Sequence, residues 1–443
     1  MPPDRSLPSD ARRSLRIYNL FFPLVFLFML PGFLLRMMRR GGYREKFGQR
    51  LGRFDEADLA RIRSRDWIWI HSISVGETFV ALKLARALHA LDPGVGILLS
   101  VTTSTGFAEA QKNASEWLEV IYNPLDLRSI VRRTVELLRP RHLVFIEAIW
   151  PNLLAEAFRA GVPTTLIPRV SPRSERRFRR FRALTGPLFR LLDRILVAES
   201  SDLDRWETLG AERAHLTCTG SIKFDQTGSR LTRQDEFRAL LQSLGVNANA
   251  PVVVAGSTWA PEEMVLARLL PELRREHPGA FLILVPRHVE RANDILQQLA
   301  PLNLRIARRS QLSPEVGAAP NILLVDATGE LREWYGLATV VFIGKSLPGI
   351  AEVGGQNPAE PAMLERPVIF GPHMENFATL VAQLLQADAV TQVKDADELP
   401  AALSTLLSSP AICAEKAGRA KKALEAHIGA TDRTAALVLA EAR

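Results

Sequence analysis

Short, mostly apolar runs recur along most of this chain, separated by amphipathic stretches, and the series starts twice. Trp67–Ile70, Val95–Val101, Leu118–Tyr122, Leu143–Ile146 and Thr164–Ile167 form the first series. Pro251–Ala255, Phe281–Val285, Ile322–Val325, Val340–Ile343 and Pro367–Phe370 form the second. Between them the apolar period changes: Val80, Leu84, Leu88 and Leu91 stripe one face of a helix over 78–91, and 126–138 and 201–209 behave similarly. Strands apolar throughout and separated by helices belong to parallel sheets covered on both faces. A chain of 443 residues has room for two or three domains. We therefore expect two doubly wound α/β domains, 41–225 and 251–443, joined by a polar connection at 226–250. With 47% hydrophobic and 23% charged residues, wholesale disorder and coiled coil are excluded. The two cysteines, Cys218 and Cys413, make no disulfide framework. No Cys/His cluster has zinc spacing, so a reducing compartment is expected, with no metal and no cofactor.

Ahead of the first series, Ile17–Leu35 is uncharged and rich in Leu and Phe. As a helix it would span about 28 Å, close to the roughly 30 Å hydrocarbon core of a bilayer. Pro23, Pro31 and Gly32 are better tolerated in a membrane helix than in a soluble one. Downstream stand Arg36, Arg39, Arg40, Arg44, Lys46, Arg50 and Arg53 against Glu45 alone, whereas the upstream flank mixes four Arg with two Asp. This asymmetry places the remainder of the chain on the cytoplasmic side. Basic residues, not a small-residue cleavage site, end the run, so residues 1–40 read as an anchor that spans the membrane or lies deep in its interface.

The net charge of +8 calls for an anionic partner. Nine arginines between Arg169 and Arg194, against Glu175 and Asp193, would repel one another on a bare helix surface. Lipid head groups and phosphorylated substrate suit them. Nucleic acid does not, because neither aromatic interleaving nor a nucleic-acid module accompanies the cluster.

Polar residues collect after the strands. His71, Ser72, Ser74, Gly76 and Glu77 follow the first, and Thr102 to Gly106 the second. Gly256-Ser-Thr258, Pro286-Arg-His288, Asp326–Glu330 and the long Gly344–Asn357 loop hold the same position in the second series. Open α/β sheets bind ligands outside the carboxyl ends of their strands. Gly, Ser and Thr loops opening onto helices offer N–H groups and a positive dipole end, so six such loops point to an anion-binding cleft between two domains. Taken singly, each loop is an ordinary turn, and Glu77 is an ordinary dipole partner in a first helical turn.

The wording of these loops resembles the 3-deoxy-D-manno-octulosonic acid (Kdo) transferases. The matching stretches are His71-Ser-Ile-Ser-Val-Gly-Glu77, Thr102-Thr-Ser-Thr-Gly106, Trp150-Pro-Asn152, Arg169-Val-Ser-Pro-Arg-Ser174, Gly220-Ser-Ile-Lys-Phe-Asp225, Gly256-Ser-Thr258, Leu284-Val-Pro-Arg-His288, Asn357-Pro-Ala-Glu-Pro361 and Phe370-Gly-Pro-His373. They run in the family's order, and the basic Arg40-to-Gly48 stretch matches as well. The resemblance implies a GT-B glycosyltransferase using CMP-Kdo as donor and a lipid A precursor as acceptor, at the cytoplasmic face of a Gram-negative inner membrane and without a metal. It implies Glu77 as the base that takes the acceptor's hydroxyl proton. Lys223, Gly256, Ser257, Thr258, Arg287, His288, Gly344, Ser346, Asn357 and Glu360 would bind the donor. Ser74, Thr103, Glu147, Arg169 and Arg173 would bind the acceptor. His288 also reads as a solvated loop histidine, and Glu360 as a plain helix-start glutamate.

The sequence departs from the family pattern in four places. Glu147-Ala-Ile-Trp-Pro-Asn152 is one residue shorter and has one Glu rather than two; Lys345 stands where a second Gly is usual; Gln356 stands for a His; and Ile167-Pro168 precedes Arg169 instead of Asn-Ala. These leave room for a membrane-anchored GT-B transferase of different donor, or for a basic membrane-associated binding protein without activity.

Overall fold

The computed structural model describes residues 5–40, 46–169, 172–225, 231–312, 319–351 and 353–442, with the side chains at 29–30, 33–40 and 172–173 left out. It divides into two units, the first made of Met1–Thr227 with Ala426–Arg443 and the second of Gly228–Glu425.

The first unit is built on seven parallel strands: β1 (Trp67–Ser72), β2 (Gly96–Val101), β3 (Leu118–Tyr122), β4 (His142–Glu147), β5 (Thr164–Pro168), β6 (Arg194–Val197) and β7 (Leu216–Cys218). Their order is β3-β2-β1-β4-β5-β6-β7, so the winding reverses between β1 and β4. In helix Val75–Leu91, which follows β1, the stripe read from the sequence holds only in part: Leu91 is exposed and Val80 half-buried, whereas Leu84 and Leu88 are buried together with Ala81, Leu82 and Ala85. They pack with Ile68 and Ile70 of β1 in one core.

The second unit repeats the plan with β8 (Val252–Thr258), β9 (Phe281–Pro286), β10 (Ile306–Arg308), β11 (Ile322–Leu324), β12 (Val340–Ile343), β13 (Val368–Phe370) and β14 (Thr391–Gln392). All pairings are parallel, in the order β10-β11-β9-β8-β12-β13-β14, with the reversal between β8 and β12.

The expected domain boundaries need two corrections. Residues 426–443 belong to the first unit, not the second. Ala435 and Val438 of helix Ala430–Glu441 join the core around Ile70 and Leu84. Asp225, wholly buried, accepts the N–H groups of Gly429 (3.1 Å) and Thr431 (2.7 Å) at the start of that helix. Arg433 donates back to the Thr219 carbonyl at 2.8 Å. The connection at 226–250 is also shorter than expected, since helix Gln234–Ser243 buries Phe237 against Trp334 within the second unit, at 4.5 Å between ring centroids.

The apolar run at 17–35 lies in a single helix, Ser9–Arg40, but among the described residues no helix is long and apolar enough to cross a membrane. Its first half is committed to the protein. Leu7, Ala11 and Leu15 are buried in the core of the first unit. Tyr18 hydrogen-bonds the carboxylate of Asp126. The Asn19 and Asn152 amides donate to one another at 3.0 and 2.7 Å, and Phe22 packs edge-on against Trp150 at 6.5 Å. Beyond Phe22 only about thirteen apolar residues remain, roughly 20 Å of helix.

Candidate active site

In the first unit, the two strands that flank the winding reversal carry the two candidate carboxylates. Glu77 lies in the first turn of helix Val75–Leu91, directly after β1. Ser74 caps that helix by accepting the Glu77 N–H at 3.3 Å, and the Glu77 carboxylate reaches back to the N–H of Ile73 at 2.8 Å. Only 8% of Glu77 is exposed. Burial raises its pKa above the ordinary carboxylate value; the N–H of Ile73 and the Ser74 hydroxyl oppose the shift, and the charge of Glu147 adds to it. Glu147 closes β4 with φ 62°, a left-handed conformation unusual for a side-chain-bearing residue. Its carboxylate stands 3.9 Å from the Arg169 guanidinium after β5. Lys223, expected with the donor residues, belongs to this unit. Burial lowers its pKa and Arg169 lowers it further, while Glu147 opposes both. Glu77, Glu147, Arg169 and Lys223 thus form one electrostatic cluster at the carboxyl edge of the sheet.

The remaining residues expected at the acceptor do structural work as well. Thr103 caps helix Ser104–Gln111 by accepting the Gly106 N–H at 3.1 Å. Arg173 has its side chain outside the described residues. Buried His71 is held neutral, its pKa pushed down to about 3 by burial, and it packs between Phe145 and Trp150. Sequence reasoning missed the groups that brace this edge. Asn123 donates to the Ser72 carbonyl at 2.8 Å and to the Thr102 hydroxyl at 2.5 Å, joining the ends of β1 and β2. Asp126 accepts the N–H groups of Asn152 (3.0 Å) and Leu153 (2.9 Å) where helix Pro151–Arg159 begins, and burial raises its pKa to about 6.

The second unit places its candidates at its own reversal. Ser257 and Lys345, at the ends of β8 and β12, both have positive φ (54° and 63°). Gly344 sits so close to Ser257 and Thr258 that a Cβ there would meet the Thr258 Cα at 2.5 Å. One residue unnoticed in the sequence holds these two loops together. Glu262, wholly buried, accepts the N–H groups of Trp259 (3.0 Å), Lys345 (2.8 Å), Ser346 (2.9 Å) and Leu347 (3.2 Å). The Gly344 N–H bonds to the Gly256 carbonyl at 2.9 Å. The amides from 344 to 347, expected to face an anion, are therefore turned inward.

Side chains define what remains. Ser346 is buried, donating to the Ile343 carbonyl at 2.6 Å and accepting the Gly371 N–H at 2.9 Å. Gly256 leaves room for the Tyr335 hydroxyl, which a Cβ would overlap. Thr258 is buried too, and its hydroxyl has no partner among the described residues. Arg287 and His288 are exposed after β9, and the His288 ring meets Trp259 edge-on at 5.2 Å. The Lys345 ammonium lies 4.5 Å from the centre of the Trp259 ring. Asn357 accepts the Ala359 N–H at 3.0 Å just ahead of helix Ala359–Met363. Glu360, in that helix, has its pKa raised by burial, with Arg332, 3.9 Å away, opposing. Among the described residues no group of three or more His, Cys, Asp and Glu could hold a metal ion.

Two doubly wound units, each with ionic side chains at its winding reversal, have the architecture of a two-domain glycosyltransferase. A crystallographically determined glycosyltransferase from Rickettsia africae shares the fold, with a TM-score of 0.52 at 13% identity, covering 85% of this chain and 98% of that one. Residues 45–226 match the family model described as 3-deoxy-D-manno-octulosonic-acid transferase. The 3-deoxy-D-manno-octulosonic acid transferase of Bordetella pertussis is 32% identical over 93% of this chain and 95% of its own. That of Haemophilus influenzae is 30% identical over 83% and 84%. The chain belongs to the Kdo transferase family.

Proposed function

We propose that this protein transfers Kdo from CMP-Kdo to a lipid A precursor, the first unit holding the acceptor and the second the donor. The observation that carries this reading is Glu77: a carboxylate at the winding reversal, buried enough to be more basic than an ordinary glutamate, with Arg169 and Lys223 supplying positive charge in the same cluster. The acceptor hydroxyl attacks the anomeric carbon of the donor sugar as its proton passes to Glu77, and the bond to phosphate breaks with its electron pair leaving on CMP. Such a displacement inverts the anomeric centre. A stable phosphate leaving group requires no protonated acid, only a base on the incoming side and cations near the developing charge. The pairing of Arg169 with Glu147 suits an acceptor that carries phosphates, which would compete for the guanidinium.

The membrane reading takes a one-leaflet form. Helix Ser9–Arg40 runs antiparallel to helix Pro151–Arg159, with the Arg5 N–H on the Arg159 carbonyl and Asn19 on Asn152, so it leaves the unit at the carboxyl edge of the sheet. There Leu20, Phe21, Leu24, Val25, Leu27 and Phe28 are exposed, Phe28 to 89%. Arg176, Arg177 and Arg180 of helix Pro172–Arg180, which follows β5, are exposed as well. Apolar insertion backed by arginines suits the anionic cytoplasmic leaflet of an inner membrane, and brings a lipid acceptor to the edge that carries Glu77.

The test is transfer by detergent-solubilised protein, with CMP-Kdo made in situ and a tetraacylated lipid A precursor as acceptor, read by mass spectrometry. Gain of Kdo mass, lost on Glu77→Gln, supports the reading. No gain with folded protein that binds a uridine nucleotide rather than CMP replaces it with a transferase of different donor.

A further inference from the structure

A loop that is to hold an anion ordinarily does so with its amides. In the second unit the amides of Gly344, Lys345, Ser346 and Leu347 are consumed by the Gly256 carbonyl and the buried Glu262 carboxylate. Glu262 also turns the negative end of the arrangement inward. An anion arriving at the carboxyl ends of β8 and β12 therefore meets side chains, and the loop's own cation is Lys345.

Its placement is specific. Lys345 adopts φ 63°, a region that glycine enters freely and lysine rarely does. Glu262 pins its backbone N–H, and its ammonium lies 4.5 Å from the centre of the Trp259 ring. Trp259 in turn is fixed by its own N–H on Glu262 (3.0 Å) and by the His288 ring at 5.2 Å. An ammonium held against an indole gives up part of its water, which strengthens its pairing with a carboxylate. His288, edge-on to the same indole, and Arg287, exposed and next to it in the chain, offer donors for oxygen atoms. A cation on an aromatic platform beside polar donors fits an acidic sugar: carboxylate on the ammonium, hydroxyls on the neighbours.

We propose that Lys345, fixed by Glu262 and Trp259, grips the carboxylate of the donor's acidic sugar and so sets the donor class this protein accepts. The inference rests on the donor assignment made above for the second unit.

The test compares wild type with Lys345→Gly and Lys345→Arg, using CMP-Kdo generated in situ and CMP as a competitive inhibitor. Glycine suits the backbone at 345, so Lys345→Gly should melt no lower than wild type. The expected result is a KM for CMP-Kdo raised about tenfold or more in Lys345→Gly, with kcat and the Ki of CMP within about twofold of wild type, and a KM largely restored in Lys345→Arg. CMP lacks the sugar carboxylate, so a parallel rise in its Ki would assign Lys345 to the phosphate or to loop shape and overturn the proposal. An unchanged KM overturns it as well. A wild-type protein that transfers no Kdo removes both the functional reading and this one, whereas turnover in wild type with an unchanged KM in Lys345→Gly removes this one alone.

Discussion

Glu77 serves two ends that pull its ionisation in opposite directions. The bonds from Ile73 and Ser74 favour the carboxylate, while burial and Glu147 disfavour it, and burial wins. A group whose pKa is raised by folding stabilises the fold most below its unfolded value, and that contribution is lost as pH rises through the folded value. The ionised form of Glu77 therefore contributes less to the fold than the protonated form does. Glu77→Gln, which can still accept the Ile73 N–H, should lower kcat by about a hundredfold or more while leaving the melting temperature at pH 7 unchanged or higher. A mutant that loses activity and melts markedly lower would make Glu77 a structural cap instead. The same shift predicts that wild-type kcat/KM rises with pH along a limb whose midpoint lies above the ordinary glutamate value, and that this limb is absent from any residual rate of the Gln variant. His71, by contrast, is expected to leave no mark on the pH profile above pH 5, since burial keeps it neutral there.

At the scale of elements, the N-terminal helix makes the plainest prediction. Replacing Leu24 and Phe28 together by serine should weaken binding to anionic vesicles at least about tenfold, since each buried apolar side chain contributes roughly 1.5–3 kcal/mol. The soluble fold should be unaffected, because both side chains are exposed. Replacing Arg176, Arg177 and Arg180 by glutamine should weaken binding by about 1 kcal/mol per charge on anionic vesicles and hardly at all on neutral ones. Co-sedimentation across the two lipid compositions separates the contributions. The elements also show what is legible in a sequence. The ten strands read from apolar runs are all present, because a strand covered on both faces must be apolar at nearly every position. The four that escaped notice, β6, β7, β10 and β14, are two to four residues long, and β10 and β14 contain no fully buried residue. β7, β10 and β14 are edge strands that leave too little apolar signal to see, and the internal β6 offers only the short run Ile195–Val197. Glu77 was singled out through the family resemblance, since a glutamate in a first helical turn is by itself an ordinary dipole partner. Glu262 was not, because a Pro-Glu-Glu helix start is common, and nothing local says that its carboxylate gathers amides from a loop more than eighty residues away. The run at 17–35 shows a related limit: hydropathy counts apolar residues but does not reveal that Asn19 and Phe22 are claimed by Asn152 and Trp150.

At the scale of the molecule, the first unit is closed by helix Ala430–Glu441, which follows the whole second unit in the chain. Asp225→Ala removes the acceptor of two buried amides and should destabilise that unit by about 1–3 kcal/mol, lowering its melting temperature by several degrees and leaving that of the second unit alone. Calorimetry that resolves two transitions would check it, and a shift of both equally would show that the units unfold as one. The clasp has a further consequence for how the protein comes into being. A ribosome emits helix Ser9–Arg40 before all of Gly228–Glu425, and helix Ala430–Glu441 after it. The nascent second unit has its whole sequence in hand and can complete its fold while the first still lacks the helix that seals its core. The apolar end at Leu20–Phe28 emerges before that seal exists, so the half-made first unit carries these exposed side chains before it has a finished core, and translation that stalls short of residue 430 would leave that core unsealed.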